Sequence, residues 1–297
     1  MRDPSTWWGL WPRELRDRLA LGSVLALAPL GLAFELAFVL PAQLQPWSTE
    51  YWSAAGVFCV VAANFLGNLY RLMRVDPSGR KSDLPSVLRP EWRYCYACQL
   101  NAPPRAYHCS VCELCILKRD HHSAFAGTCV GWHNHRYYLL AAAYAWVGAA
   151  LALYFHWSYI WERLGGLNAA TFWFVLMPHL ALITLQIGPL QFFLAGVQMS
   201  SLVCFLLSTG RSARDWSFAN CQHGNIVDLY HVCRGETQQE AWLGLRGYYD
   251  LGLAANLRAV LGRRPLAAVL CPLLSSPLPG DGLRFPRKAQ IENVKDI

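Results

Sequence analysis

Apolar residues gather in long runs separated by polar segments of very different character. The first run, Leu19 to Leu40, is long enough as a helix, at about 1.5 Å per residue, to cross a hydrocarbon core of about 30 Å. It is too long for a signal-peptide core and no small-residue cleavage site follows it, so an uncleaved first span is predicted. A second run, Tyr51 to Tyr70, follows a loop, Pro41 to Glu50, that lacks Lys and Arg. A third begins at Tyr137 and ends near Trp161, with Trp157 and Trp161 as interface residues. Residues 172 to 207 are apolar for longer than one crossing needs, broken by Pro178, Gly188 and Pro189. They form either one tilted span with an interfacial portion or two segments.

Between these runs the polar stretches set the orientation. Arg13, Arg16 and Arg18 precede the first span, and Arg71, Arg74, Arg80 and Lys81 follow the second. By the excess of basic residues on cytosolic loops, both of those flanks face the cytosol. The expected fold class is an α-helical multi-pass membrane protein of about four transmembrane helices, with both termini cytosolic. Its expected segments are a cytosolic N-terminus (1–18), spans one and two (19–70), a cytosolic cysteine-rich domain (71–136), spans three and four (137–208) and a cytosolic C-terminal region (209–297).

Composition agrees. The chain is 54% hydrophobic and 15% charged, where soluble domains carry about 25% charged residues. Its net charge of +7 is dispersed in short clusters beside the apolar runs, including Arg258, Arg263 and Arg264. That is the pattern of segments lying against anionic lipid, not of a nucleic-acid surface. Glu35 is the exception inside span one, where a carboxylate is costly. Its place near the lumenal end allows a snorkelling or protonated structural role as well as a functional one.

Six of the eleven cysteines fall between Cys95 and Cys129. Cys95-x2-Cys98-x9-His108-x6-Cys115 supplies four soft ligands, and fourteen residues on Cys109-x2-Cys112-x9-His122-x6-Cys129 repeats the spacing. Two complete sets imply two closed tetrahedral zinc sites, structural rather than hydrolytic, in a reducing compartment. Cys59, Cys204, Cys221, Cys233 and Cys271 are scattered and read as small buried residues or lipidation acceptors. The ligand bookkeeping leaves His121 over, between Asp120 and His122, with Ser123 following. An acid, a non-ligand imidazole and a hydroxyl in one short turn have the makings of an orienter, a base and a nucleophile.

At this point the chain resembles the DHHC family of membrane protein S-acyltransferases. Cys95 to Asn134 matches the pattern C-x2-C-x9-H-C-x2-C-x2-C-x4-D-H-H-C-x5-C-x4-N at every position but one. Asp76-Pro77-Ser78-Gly79 resembles the family's DPG motif, Thr237-Gln238-Gln239-Glu240 a degenerate TTxE motif, and Tyr249 to Asn256 the motif whose asparagine anchors the tail. The Ser276 to Gly282 stretch is similar to one mammalian branch of the family.

The resemblance implies palmitoyl-CoA as acyl donor, its chain held among the membrane helices, and cysteine-containing cytosol-facing proteins as acceptors. It implies that Asp120 orients His121, that His121 acts as base, and that Lys118, Arg119 and Arg105 either meet CoA phosphates or are solvated loop charges. An endomembrane location, ER or Golgi, goes with the class. Position 123 departs from the pattern, because a serine stands where the family has its nucleophilic cysteine. A thiol is readily ionised by a neighbouring imidazole and a hydroxyl is not, so acyl transfer by this chain is expected to be severely impaired. An engineered trap, a natural pseudoenzyme that serves as a membrane scaffold, and residual acylation at Ser123 all fit. A second departure is the polar stretch Arg211 to His223, where the family's fourth span runs almost directly into the TTxE motif. A channel or transporter would leave the cytosolic cysteines without purpose, and the membrane tethering disfavours a zinc-finger nucleic-acid binder.

Overall fold

A computed structural model of the chain describes residues 11–82, 84–163, 249 and 251–286. The predicted fourth span, the Arg211 to His223 stretch, Thr237 and Glu240 lie outside the described residues. Helix α1 runs from Leu15 to Gln43, α2 from Thr49 to Arg74 and α3 from His135 to Arg163. Three segments, Leu15–Gln43, Thr49–Arg74 and His135–Phe155, are long and apolar enough to cross a membrane. Each helix outruns the predicted apolar run, because backbone hydrogen bonding continues into the polar flanks after the hydrocarbon-facing side chains stop.

The chain divides into two compact units. One takes in Val24–Leu66 and the helix from Ala141 onward. Its core packs Leu40, Ala55, Phe58 and Ala152 against Leu32, Leu36 and Phe155. Within α1 the helix widens to a π-helical turn over Glu35–Val39, where the Leu40 amide donates to the Glu35 carbonyl. Helices α1, α2 and α3 line a half-open apolar cavity of about 470 Å³, bordered among others by Gly31, Phe34, Glu35, Phe65, Tyr144 and Gly148. Glu35 is 4% exposed and faces this cavity. Its burial in the cavity wall excludes the snorkelling role.

The other unit takes in the residues up to Ser23, Gly67–Leu140 and the described tail. Its centre is three successive antiparallel hairpins: β1 (Arg93–Cys95) with β2 (Leu100–Ala102), β3 (Tyr107–Cys109) with β4 (Leu114–Ile116), and β5 (His122–Ser123) with β6 (Thr128–Cys129). The tight turns place Gln99, Glu113 and Gly127 in the left-handed region, with φ of 53°, 56° and 58°. These positions are fourteen residues apart, so the sequence repeat is a repeat of backbone shape as well as of ligands.

Polar side chains tie this unit together. Asp76 accepts from the Ser78 amide at 2.8 Å, the Leu117 amide donates to the Pro77 carbonyl at 3.1 Å, and Ser78 bridges to Ile116. The DPG-like turn is thereby pinned to β4. Asn134 is wholly buried; its Oδ1 accepts from the Gly131 amide at 2.8 Å and its Nδ2 donates to the carbonyls of Cys129 at 2.9 Å and Leu72 at 3.3 Å. One side chain so joins the end of α2, strand β6 and the start of α3. In the tail, α4 (Leu253–Leu261) begins where Asn256 Oδ1 accepts from the Leu251 amide at 3.1 Å, and α5 (Pro265–Leu270) follows. Leu278, Leu283 and Phe285 pack on Ala102, Ala106, Leu117 and Trp132 of the hairpin unit.

Candidate metal centres and the Asp120–Ser123 loop

The hairpin register explains the ligand spacing. His108 stands directly across from Cys115, and His122 directly across from Cys129. Each Cys-x2-Cys pair sits at the turn of the preceding hairpin. Cys95 and Cys98 from the first hairpin therefore meet His108 and Cys115 of the second, and Cys109 and Cys112 of the second meet His122 and Cys129 of the third. In each quartet the ligand atoms all lie within 4.8 Å of one another.

The separations suit a tetrahedral ion. Sulfur and nitrogen ligands at ordinary zinc distances lie about 3.5 Å apart. His122 Nδ1 is 3.8, 3.3 and 3.7 Å from the sulfurs of Cys109, Cys112 and Cys129. His108 Nδ1 is 3.8 and 3.2 Å from those of Cys95 and Cys98. Protons are unevenly shared among these donors. Hydrogen bonds from Cys112 and Cys129 hold the Cys109 thiol far below its usual range, while the same crowding drives Cys129 well above it. Burial and the Cys95 sulfur push Cys115 up. Burial opposes charge on His122, but hydrogen bonds with Cys109 and Cys112 outweigh it and raise the imidazole to about 10. A divalent cation would take the place of those protons.

With His122 turned to the second quartet, its neighbours are free for other work. Successive side chains on a strand point to opposite sides, so in β5 Ser123 points away from the side that His122 turns to its quartet. His121 Nδ1–H donates to Asp120 Oδ2 at 3.0 Å, which leaves Nε2 as the proton acceptor. His135 Nε2 lies 3.9 Å from the same carboxylate oxygen, and Tyr138 packs edge-on against the His121 ring at 4.7 Å. The loop backbone is pinned by the Asp120 amide donating to Val130 at 2.9 Å and the Val130 amide donating to His121 at 2.8 Å. Ser123 is buried opposite Thr128.

Residues 89–243 match the family model described as DHHC palmitoyltransferase. The chain belongs to the DHHC palmitoyltransferase family. It is 35% identical over 256 residues to "Probable palmitoyltransferase ZDHHC24" of Danio rerio, a match covering 84% of this chain and 81% of that protein. The protein of the same name from Homo sapiens is 36% identical over 275 residues, covering 90% of each chain. The branch indicated by the Ser276 to Gly282 stretch is thus the one found. The activity that goes with this family is protein S-acylation.

The structure revises some expectations drawn from the resemblance. Lys118, Arg119 and Arg105 are buried, not solvated loop charges. Arg105 lies over the rings of Tyr249 and Phe285 at 4.5 and 4.7 Å, and Lys118 over those of Trp132 and Phe285 at 5.5 and 5.8 Å. Two of these cations hold the C-terminal tail on the first hairpins, a role that the resemblance did not suggest. Of the two readings of the scattered cysteines, small buried residues or lipidation acceptors, the first does not hold for Cys59, which is exposed; Cys271 is half-buried.

Sequence reasoning also passed over Asp17. It is 1% exposed, and its Oδ2 accepts from His122 Nε2–H at 2.7 Å. The available signal was slight, since Asp17 shares the stretch Arg13 to Arg18 with a second acid, Glu14, and three arginines.

Proposed function

We propose that the chain is a membrane-embedded protein S-acyltransferase scaffold whose chemistry is curtailed at one atom, the Oγ of Ser123. In this reading palmitoyl-CoA is the donor, cysteines of cytosol-facing proteins are the acceptors, and both termini and the cysteine-rich domain face the cytosol of an endomembrane. The cavity among α1, α2 and α3 receives the acyl chain. The two quartets, Cys95, Cys98, His108 and Cys115, and Cys109, Cys112, His122 and Cys129, hold zinc. Bound zinc supplies cross-links that let short hairpins fold without a large apolar core.

The residues of the chain do the rest. Asp120 keeps the His121 proton on Nδ1, so Nε2 can accept one from the group at position 123. With serine there, Oγ attacks the thioester carbonyl, its proton passes to Nε2, and the CoA sulfur leaves and is reprotonated. The product is an oxyester. Passing that acyl group on to a thiol converts an oxyester into a less stable thioester, so the second half-reaction runs uphill and turnover stops after one event or before it. In the parent scheme both steps exchange one thioester for another.

The observation that carries this reading is an intact Asp120–His121 pair, 3.0 Å apart, two residues ahead of the hydroxyl of Ser123 on a loop fastened by a complete ligand quartet. That same hydroxyl favours a second reading, a scaffold that binds acyl-CoA or partner proteins without chemistry. Purified wild type and Ser123→Cys, both zinc-loaded, separate the two when incubated with labelled palmitoyl-CoA. A hydroxylamine-sensitive label on the Ser123→Cys protein supports the enzyme scaffold. A folded, zinc-loaded Ser123→Cys protein that stays unlabelled establishes the non-enzymatic reading instead.

A further inference from the structure

The N-terminal segment and the first turns of α1 touch the second metal centre at several separate points. Asp17 Oδ2 meets His122 Nε2 at 2.7 Å, while His122 Nδ1 is turned to the three sulfurs of its quartet. Arg13 Nη1 pairs with Glu113 Oε2 at 2.7 Å, on the turn that carries Cys109 and Cys112. Arg18 Nε donates to the Pro12 carbonyl at 2.8 Å, which holds the segment in a compact bend. Pro12 then rests on the third hairpin at Gly127, where a β-carbon would come within 2.2 Å of the proline Cγ.

Gly127 discriminates between accident and design. The equivalent turn positions of the other hairpins, Gln99 and Glu113, adopt the same left-handed conformation with side chains. Backbone conformation alone therefore does not demand glycine at 127. Close approach of Pro12 does. Among the described residues, no carboxylate accepts from His108 in the otherwise equivalent first quartet.

We propose that Asp17 is a positioning residue for the second zinc, and that Pro12–Arg18 is a clasp joining the start of the first membrane helix to the hairpin that carries Ser123. A carboxylate accepting the outer N–H of a ligand imidazole fixes its tautomer and ring plane and strengthens it as a donor; loss of such a partner typically costs about 10- to 100-fold in metal affinity. The proposal rests on zinc occupancy of both quartets and not on acyl transfer.

Zinc release tests it without any acyl donor. The full-length zinc-loaded chain in detergent is challenged with excess chelator, and released zinc is followed with a colorimetric indicator. Asp17→Asn, which keeps the shape and removes the charge, and Asp17→Ala should each release one of the two ions roughly 10- to 100-fold faster than wild type and leave the other unchanged. Gly127→Ala, which displaces Pro12, should produce the same fast phase; Arg13→Ala removes only an exposed pair and should do so weakly. Wild-type release from Asp17→Asn, or equal acceleration of both ions, overturns the proposal. If Asp17→Ala fails to fold, Asp17→Asn and Gly127→Ala decide. Fewer than two zinc ions in wild type overturns the metal assignment beneath it, whereas an unlabelled Ser123→Cys protein leaves it standing.

Discussion

The Tyr51 hydroxyl donates to the carbonyl of Leu36 at 3.0 Å, at the point where α1 widens into its π turn. In that wider register the Leu36 carbonyl would be served by the amide five residues on, which belongs to Pro41 and has no hydrogen. The tyrosine supplies the missing donor. Tyr51→Phe should therefore destabilise the chain by about 1 kcal/mol. With Pro41→Ala in the background, the new amide can reach Leu36 and the cost of Tyr51→Phe should shrink. Thermal unfolding in detergent across the double-mutant cycle measures that coupling.

Asn134 should be far less forgiving. Alanine there strands the Gly131 amide and the Cys129 and Leu72 carbonyls in a buried site, and a loss of about 2–4 kcal/mol is expected. Asn134→Asp, which turns a donor into a second acceptor facing two carbonyls, should be at least as harmful. Melting temperature together with zinc content checks both.

The cavity makes a prediction about donors. Gly31 lines the cavity and a β-carbon there meets nothing within 4 Å, so Gly31→Leu should place its side chain in that space. On the Ser123→Cys background it should shift acyl loading from palmitoyl- toward myristoyl-CoA. Each methylene kept out of the cavity should weaken binding roughly fourfold, from about 0.8 kcal/mol per buried methylene. Equal loading by both donors would mean that the chain lies elsewhere.

Zinc binding should strengthen as pH rises. In the metal-free quartet burial works against the charge on His122, but Cys109, Cys112 and Asp17 raise its proton affinity to about 10. That proton stabilises the metal-free unit fully below about pH 6.5, the ordinary imidazole value, and the contribution fades as pH climbs toward 10. Zinc must displace it. Calorimetric zinc titrations of the metal-free chain in buffers of differing ionisation enthalpy should show proton release, and affinity should increase between two pH values inside that window.

The metal quartets were legible in the sequence because cysteine and histidine at fixed spacing admit few other uses. The spacing also exposed His121 as the histidine without a metal to bind. Asp17 could not be read in the same way. Its partner is 105 residues away, and in sequence it looks like one acid among juxtamembrane arginines. The tail contacts of Arg105 and Lys118 were hidden for a related reason: a basic residue in a loop is usually solvated, and only tertiary packing brings Tyr249, Trp132 and Phe285 over it. The DPG-like turn and Asn134 lay between these cases, visible as motifs but with purposes apparent only once their hydrogen bonds were placed. The π turn left no sequence mark beyond Pro41.

With an ion in each quartet, the three hairpins would stand in the relation of posts to rails. The middle hairpin is tied on both sides, and each outer one by a single tie. Depletion at the first centre would free only the Cys95–Cys98 turn, far in ligand order from Ser123, whereas depletion at the second would loosen the hairpin that carries Ser123. A cell short of zinc would thus meet two different kinds of damaged molecule, one frayed at its edge and one disarmed.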